Sequence, residues 1–423
     1  MQRLSEVSRG AAQCEPATPG PSDAPRQRQS QRLSPGSTLA SLGGRPQSSR
    51  DPSDRRRIPL ERLDARRQGD RRTEQGRSAV PDPATSLPLA AYLLARRLVG
   101  RVVEPEQMDR LVAADAAVSH TRQALSFGRG NVTVDIARTG GKSHVRVLAA
   151  QMMNVVWLNQ PDVPDYVQQL GLAEYRRNFD VVAASTAQLY SAGNCDEYAA
   201  VTAFAYGKLR SEQPGSRPGE EVGVMTNERR RHSWAEAQAH ASCEGDSRIV
   251  MDAWAEGPAV FAADSRFASD REAVHTASTF NLPRAAWSGR AAHRLAKAEI
   301  EHDREGVMAR LMDARAIVAG EHYHEQWLPQ SSIWQPQPVI SAPFANHAAE
   351  KLQDARHEKA LQVELEAVGV AMSLGTTGVS KLAREASRIV AASKTLVERG
   401  QMPDEQHSAH TEPAAETPDG AGE

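Results

Sequence analysis

Three side chains in this sequence could together form a covalent intermediate: those of Cys195, His232 and Asp252. A cysteine thiolate is a nucleophile, and an imidazole can either remove the thiol proton or hold the thiolate as an ion pair. A carboxylate next to the imidazole orients the ring and stabilises its charged form. The three residue types in this order indicate acyl transfer through a thioester, which water or an amine then attacks.

A helix is predicted to begin at Cys195. Asn194 before it is a favoured N-cap residue, and two acidic residues follow in the first turn. Tyr198, Val201 and Ala205 recur at helical spacing, which predicts one apolar face. Because free N–H groups and the positive end of the helix dipole lie at a helix start, this position favours the thiolate form of the cysteine.

Two strands are predicted to carry the other two residues. The stretch HSWAEAQ begins at His232, and the stretch RIVMDAWAE contains Asp252. The polar segment between them, roughly residues 241–247, contains Gly245 and suits a hairpin connection. If the strands pair in this way, His232 and Asp252 lie near one another, and the helix start brings Cys195 to the imidazole.

Each of these residues also has an ordinary structural explanation. A single buried cysteine is usually a small apolar core residue, and a histidine near a strand is more often a hydrogen-bonded structural residue. The ordered set favours the catalytic interpretation. Trp234 and Trp254 flank the strands; we interpret them as core residues, with a wall of the substrate groove as the alternative.

Four segments carry a resemblance to a known family. They read GNCDEYAAVTAFAY, HSWAEA, VMDAWAEGPAVF and, upstream, FGRGNVTVDIARTGGKSHVRVLAAQMMNVVWLN. They resemble the HopX/AvrPphE/XopE family, effectors that plant-pathogenic bacteria inject through a type III secretion system. The resemblance covers roughly residues 125–267 well and the flanks by general character only. On it, the family's triad falls on Cys195, His232 and Asp252.

The resemblance implies a fold as well as a triad. It implies an α+β fold with a papain/transglutaminase-like core, in which a helix with an N-terminal cysteine packs on an antiparallel sheet, with added helices and disordered N- and C-terminal tails. The oxyanion donors should include the backbone N–H of Cys195. The superfamily implies a further side-chain donor upstream, for which Gln188 and Asn194 are candidates.

The resemblance further implies a function and a place of action. The chain would be a type III effector inside the plant cell, most simply a cysteine protease on host proteins of defence signalling. A protein-glutamine transglutaminase or deamidase is the alternative with the same triad. A non-catalytic module that binds host proteins is the alternative of another class, against which the intact triad argues. The implied partners are a host protein substrate and a secretion chaperone, in the host cytoplasm with the nucleus as a second destination.

Composition and the resemblance together predict four regions along the chain. Composition predicts disorder at 1–80 and in the acidic tail at 403–423, and the pattern at 346–402 predicts a C-terminal helical region. The resemblance implies that 1–80 is a secretion and translocation leader and that 85–345 is a transglutaminase-like cysteine catalytic domain. The leader is rich in Ser, Pro, Gly, Gln and Arg and has no aromatic residue, so it has too little apolar surface to offset chain entropy. Its arginine clusters indicate a solvated basic tail, a secretion leader or a nuclear-import patch.

Composition also argues against several other classes of protein. The formal net charge of −2 implies no global preference for nucleic acid or membrane. There is no long apolar run and no glycine at position 2 for myristoylation, so no stable membrane anchor is predicted. The cysteines Cys14, Cys195 and Cys243 make no disulfide framework, which suits a reducing compartment, and Cys243 is interpreted as a bystander. No cofactor or nucleic-acid motif is present.

Several flanking stretches carry weaker predictions. NVTVDIAR alternates in a way that predicts a strand, VGVMTN predicts another, and the chain beyond Phe267 is predicted to be helical. Arginines 229–231 directly precede His232; we interpret them as an exposed strand edge, with binding of an acidic or phosphate-bearing ligand as the alternative. His322 and His324 in EHYHE have no further ligand at metal-binding spacing, so no metal site is predicted.

Overall fold

The computed structural model describes residues 86–160, 162–213, 219–239, 248–320, 333–355 and 359–398. Across these residues, helices predominate and surround an antiparallel sheet, which confirms the predicted α+β class. The predicted leader and acidic tail lie outside the described residues. So do the connection at 241–247, both histidines of EHYHE, Cys14 and Cys243.

Some of the described helices precede the five-stranded sheet in the sequence, and others follow it. Those before it are α1 Leu87–Leu98, α2 Pro105–Ala124, α3 Thr133–Thr139, α4 Lys142–Asn159, α5 Asp165–Gln169, α6 Phe179–Tyr190 and α7 Cys195–Ser211. Those after it are α8 Leu282–His302, α9 Arg304–Val318, α10 Ala342–Ala355, α11 Lys359–Ala371 and α12 Thr376–Glu398.

The strands form two separate ladders within the described residues. A short parallel pair joins β1 Gly128–Arg129 to β2 Ala192–Gly193. The five-stranded antiparallel sheet has the order β6-β5-β4-β3-β7. Its strands are β3 Glu221–Asn227, β4 His232–Gln238, β5 Arg248–Met251, β6 Val260–Phe261 and β7 Val274–Asn281.

The core lies between α7 and the sheet. Strand β4 is central and almost wholly buried, because α7 packs on it while β3 and β5 cover its edges. Helix α8 packs against α7 so closely that a Cβ on Gly207 would lie 2.3 Å from the Cβ of Ala285. Only glycine permits this approach of the two helices. The helix that begins at Cys195 is therefore held on two sides.

Helix α1 is joined to the sheet by a buried polar cluster. The Tyr92 hydroxyl donates to Asp264 Oδ2 at 2.6 Å, and Arg96 Nη1 contacts the same oxygen at 2.6 Å. The Arg96 guanidinium also lies 4.2 Å from the centre of the Phe261 ring, at the end of β6. Because α1 packs against α10, α11 and α12 as well, it connects the sheet to the C-terminal helices.

Two secondary-structure predictions are wrong. The stretch NVTVDIAR forms helix α3 instead of a strand. The Asp135 carboxylate on this helix accepts a hydrogen bond from the Arg129 N–H, and Gly140, with φ 58°, ends the helix. Beyond Phe267 the chain is not wholly helical. A 3₁₀ segment at Ala268–Ala273 is followed by β7, which pairs with β3 at the edge of the sheet, and α8 begins only at Leu282. The strand predicted for VGVMTN is confirmed as β3.

Candidate active site

Cys195 is the first residue of α7, as the helix-start pattern predicts. Asn194 has extended backbone angles and its N–H donates to Glu197 Oε2 at 2.7 Å, which secures the first turn. A Cβ on Gly193 would lie 2.8 Å from the Cβ of Glu197, so the chain can approach its own helix this closely only at glycine. The thiol is partly buried.

The β1–β2 ladder brings an upstream segment beside this helix start. Arg129 is paired with Gly193, and the Gly130 N–H donates to the Gly193 carbonyl at 3.3 Å. The next residue, Asn131, accepts a hydrogen bond from the Trp254 indole N–H at 3.1 Å. Residues 128–131 of the chain thus lie between the cysteine helix and the loop that follows β5.

His232 is the first residue of β4 and is almost fully buried. Its ring stacks on Phe267 with centres 5.8 Å apart, and the Trp254 ring is tilted against it at 4.9 Å. The turn that precedes it places Arg231 in the left-handed region, with φ 47°. The aromatic neighbours fix the plane of the imidazole.

Asp252 directly follows β5 and is 1 % exposed. Its Oδ2 lies 2.8 Å from His232 Nε2, and its Oδ1 accepts the Ala255 N–H at 3.0 Å. Arg266 contacts Oδ2 from 3.8 Å. The carboxylate is thus fixed at both oxygens, and the antiparallel pairing of β4 with β5 brings it to the imidazole as the hairpin prediction requires.

Cys195 and His232 line one small cavity. Its volume is about 20 Å³, which is close to the space that one water molecule occupies. Nine residues line it: Asn131, Cys195, Arg230, Arg231, His232, Trp254, Arg266, Trp334 and Gln337. Within the part of the chain that the structure describes, the second ring nitrogen of His232, Nδ1, has no hydrogen-bond partner and is left for a group in this cavity.

Charge and burial set the resting protonation of these groups. Burial raises the pKa of the Cys195 thiol well above 9.0, and the nearby Asp196 carboxylate raises it further. Burial lowers the pKa of His232 below 6.5, against the opposing effect of Asp252. The pair therefore rests as a neutral thiol and a neutral imidazole at neutral pH. Burial and the acidic first turn thus act against the thiolate form that the helix start favours.

The third group of the set is charged. Burial opposes ionisation of Asp252, but the contact with His232 and the charge of Arg266 lower the pKa of this carboxyl below 3.8. An ionised carboxylate at Nε2 requires that nitrogen to carry the ring proton. The imidazole then offers the lone pair of Nδ1 as a base.

The protonation states predict the pH dependence of alkylation at Cys195. With iodoacetamide, the rate should rise steadily with pH and keep rising beyond about pH 9, because the thiol pKa is raised. It should show no plateau between about pH 5 and 8, which a thiolate–imidazolium pair would produce. Peptide-resolved mass spectrometry of the alkylated protein measures this profile. A fast, pH-independent rate in that range would contradict the neutral pair.

Several residues of the site are not predicted by the sequence. Asn131, Arg266, Trp334 and Gln337 line the cavity, and nothing in their local sequence predicts it. The one signal that could have identified Asn131 is its place in the upstream segment that resembles the family. Trp334 is bound to that segment, because its N–H donates to the Asn131 carbonyl at 2.8 Å. This pairing across about 200 residues has no local pattern.

The remaining candidates take separate positions. Trp254 lines the cavity, whereas Trp234 is fully buried and stacks on Phe267 at 3.7 Å. Both are buried in the core, since Trp254 is also only 2 % exposed, so the core interpretation holds for both. Neither Gln188 nor Asn194, the two candidate oxyanion donors, is among the residues that line the cavity.

Comparison with protein-family models, with curated proteins and with solved structures finds no match for the chain. In the described ranges, no group of three or more His, Cys, Asp and Glu side chains is arranged to hold a metal ion. Nor does any helix there have the length and apolar character needed to cross a membrane. The function must therefore be argued from the residues of the cavity.

Proposed function

We propose that this chain is a cysteine acyl-transfer enzyme in which Cys195 is the nucleophile, His232 the base and acid, and Asp252 the residue that orients the imidazole. One observation carries the proposal: Asp252 is bound to His232 Nε2 at 2.8 Å, and His232 and Cys195 line the same cavity. A merely structural histidine would have no need of a thiol across a solvent-accessible cavity. A papain/transglutaminase-like core is part of this proposal.

The reaction proceeds by proton transfer and covalent capture. As Cys195 Sγ attacks the substrate carbonyl carbon, its proton passes to His232 Nδ1. The imidazolium is stabilised by Asp252, and it gives the proton to the leaving amine when the C–N bond breaks. Water then attacks the thioester, giving its proton to Nδ1, and the thiol is released. An amine in place of water would give transamidation instead of hydrolysis.

The substrate class follows from the resemblance of residues 125–267 to the HopX/AvrPphE/XopE family. On it we propose a type III effector that acts in the plant cell on host proteins of defence signalling, with peptide hydrolysis as the first reaction. Glutamine deamidation or transamidation is the alternative, because the same groups perform all three and only the acyl donor and acceptor differ.

The test is to express the chain in plant cells and to follow host proteins by mass spectrometry, with the Cys195→Ala variant beside it. New peptide termini would identify hydrolysis, conversion of glutamine to glutamate would identify deamidation, and crosslinked species would identify transamidation. If the variant gives the same response and the same protein changes as the unmodified chain, the catalytic proposal is wrong. A host-protein binding module would then take its place.

Asn131 is proposed to supply the side-chain oxyanion donor. Its Oδ1 is occupied by the Trp254 indole, so its NH₂ group is the free end of the amide at the cavity. The first-turn N–H of Cys195 would be the second donor, since the leading N–H groups of a helix have no intrahelical partner.

Asn131→Ala should therefore lower kcat by about 100-fold or more while KM changes little, because a donor aimed at the developing oxyanion acts in the transition state. Steady-state kinetics on the substrate found by mass spectrometry measures this. Thr133→Val is the matched control: it lies on the same segment, at the surface, and loses only a bond to Gln335. An equal effect of both substitutions would show that the segment, and not the amide, is responsible.

A further inference from the structure

The lining of the cavity carries a marked positive charge. Three of its nine residues are arginines, Arg230, Arg231 and Arg266, and none is acidic. The two carboxylates beside them are shared: Asp270 contacts both Arg229 and Arg230, and Asp252 contacts both His232 and Arg266. Asp196 lies beside the thiol but does not line the cavity. Of the three arginines only Arg231 is exposed, because the Arg230 and Arg266 side chains are 10 % and 12 % exposed.

Arg231 differs from the other two arginines. Its side chain is exposed and makes no ion pair or hydrogen bond with any described residue. Its backbone has φ 47°, a region in which glycine or asparagine is favoured and arginine is strained. The turn thus places an unpaired guanidinium at the cavity edge, directly before the imidazole residue.

The exposure of the lining residues assigns this charge a place in the substrate. Cys195 is partly buried and His232 almost fully buried, whereas the Arg231 side chain is exposed at the rim of the same cavity. The rim carries Arg231, and guanidinium groups bind carboxylate and phosphate oxygens with two parallel hydrogen bonds.

We propose that the site prefers acyl donors with a negatively charged side chain beside the reacting carbonyl, bound by Arg231 with Arg230 and Arg266 as its positive surroundings. This substrate class rests on the proposed acyl-transfer function. The preferred substrate is an acidic protein segment, in which the anion is a carboxylate or a phosphoryl group.

Two alkylating reagents of similar size test the preference without any substrate. Iodoacetate is an anion and iodoacetamide is neutral; with both, Sγ displaces iodide and the thiol proton goes to solvent. The ratio of their rates at Cys195, divided by the same ratio for N-acetylcysteine, cancels the reactivity of the sulfur. We expect a corrected ratio of about five or more, falling towards one in about 0.5 M salt.

Variants at Arg231 assign the effect to its guanidinium. Arg231→Asn removes the charge and suits the left-handed backbone, so it should lower the corrected ratio severalfold. Arg231→Lys retains the charge and should keep most of the corrected ratio. A ratio of one or less in the unmodified chain, or one that Arg231→Asn leaves unchanged, overturns the proposal.

The same measurements separate this proposal from the catalytic one. A high, Arg231-dependent ratio in a chain that turns over no protein would support the charge preference and contradict the acyl-transfer function. Turnover with a ratio of one would do the reverse. Once a substrate is known, peptides with glutamate, phosphoserine or glutamine beside the reacting carbonyl distinguish the two anions. Faster reaction of the glutamine peptide than of both charged peptides would overturn the proposal.

Discussion

Replacing Cys195 by alanine should lower the rate of acyl transfer by about 10⁴-fold or more, because no other described group can form the thioester. The change should leave folding intact. The thiol is only partly buried and faces the cavity, so its loss opens no void in the core. Product formation measured by mass spectrometry, together with the melting temperature of both proteins, gives the two quantities that are needed.

The matched control for this substitution is Cys243→Ser, which changes the thiol that we interpret as a bystander. It should retain activity close to that of the unmodified chain. If Cys243→Ser loses activity and Cys195→Ala retains it, then Cys195 is not the nucleophile. Hydroxylamine provides a second readout, since it captures a thioester as a hydroxamate only when Cys195 is present.

Asp252→Asn should lower kcat by about 10³- to 10⁴-fold although it is nearly isosteric. The Ala255 N–H donates to Oδ1 at 3.0 Å, so the asparagine must keep its oxygen there and turn its NH₂ group towards His232. An NH₂ group donates, and Nε2 must then accept. The ring proton moves to Nδ1, where it prevents that nitrogen from taking the thiol proton.

Kinetics and proton NMR of the imidazole together test this tautomer argument. Glu256→Gln is the control, because it removes a carboxylate from the same loop, where Glu256 contacts Arg129 and is largely exposed. It should change kcat by less than about threefold. If Asp252→Asn keeps full activity, or if the Nε2 proton persists in it, the carboxylate does not orient the imidazole as proposed.

The local part of the site was predictable from the sequence. Helix-start residues place Cys195, and the alternation of two short strands places His232 beside Asp252, because both patterns report on backbone geometry within a few residues. The protonation state was not predictable in the same way. The helix dipole is visible in the sequence, whereas the burial that raises the pKa of Cys195 depends on the fold, in which Trp334 and Arg266 from later in the chain line the same cavity.

The remainder of the site depends on contacts between distant segments. Asn131 reaches the cavity because Arg129 pairs with Gly193, and a two-residue ladder has no sequence pattern of its own. The same cause explains the error over α3. Val132, Val134 and Ile136 alternate like a strand, but Asp135 binds Arg129, whose Nη1 donates to the Trp254 carbonyl, and this network favours the helical turn.

The position of α1 limits how early this chain can fold during synthesis. Helix α1 is the first of the described helices to be translated, yet Tyr92 and Leu94 on it are fully buried and the helix packs on α10, α11 and α12. Asp264, which binds Tyr92, follows about 170 residues later, and α12 ends at Glu398. The nascent chain must therefore keep α1 exposed until α12 has been translated, and any truncation before residue 376 leaves its apolar side open to aggregation.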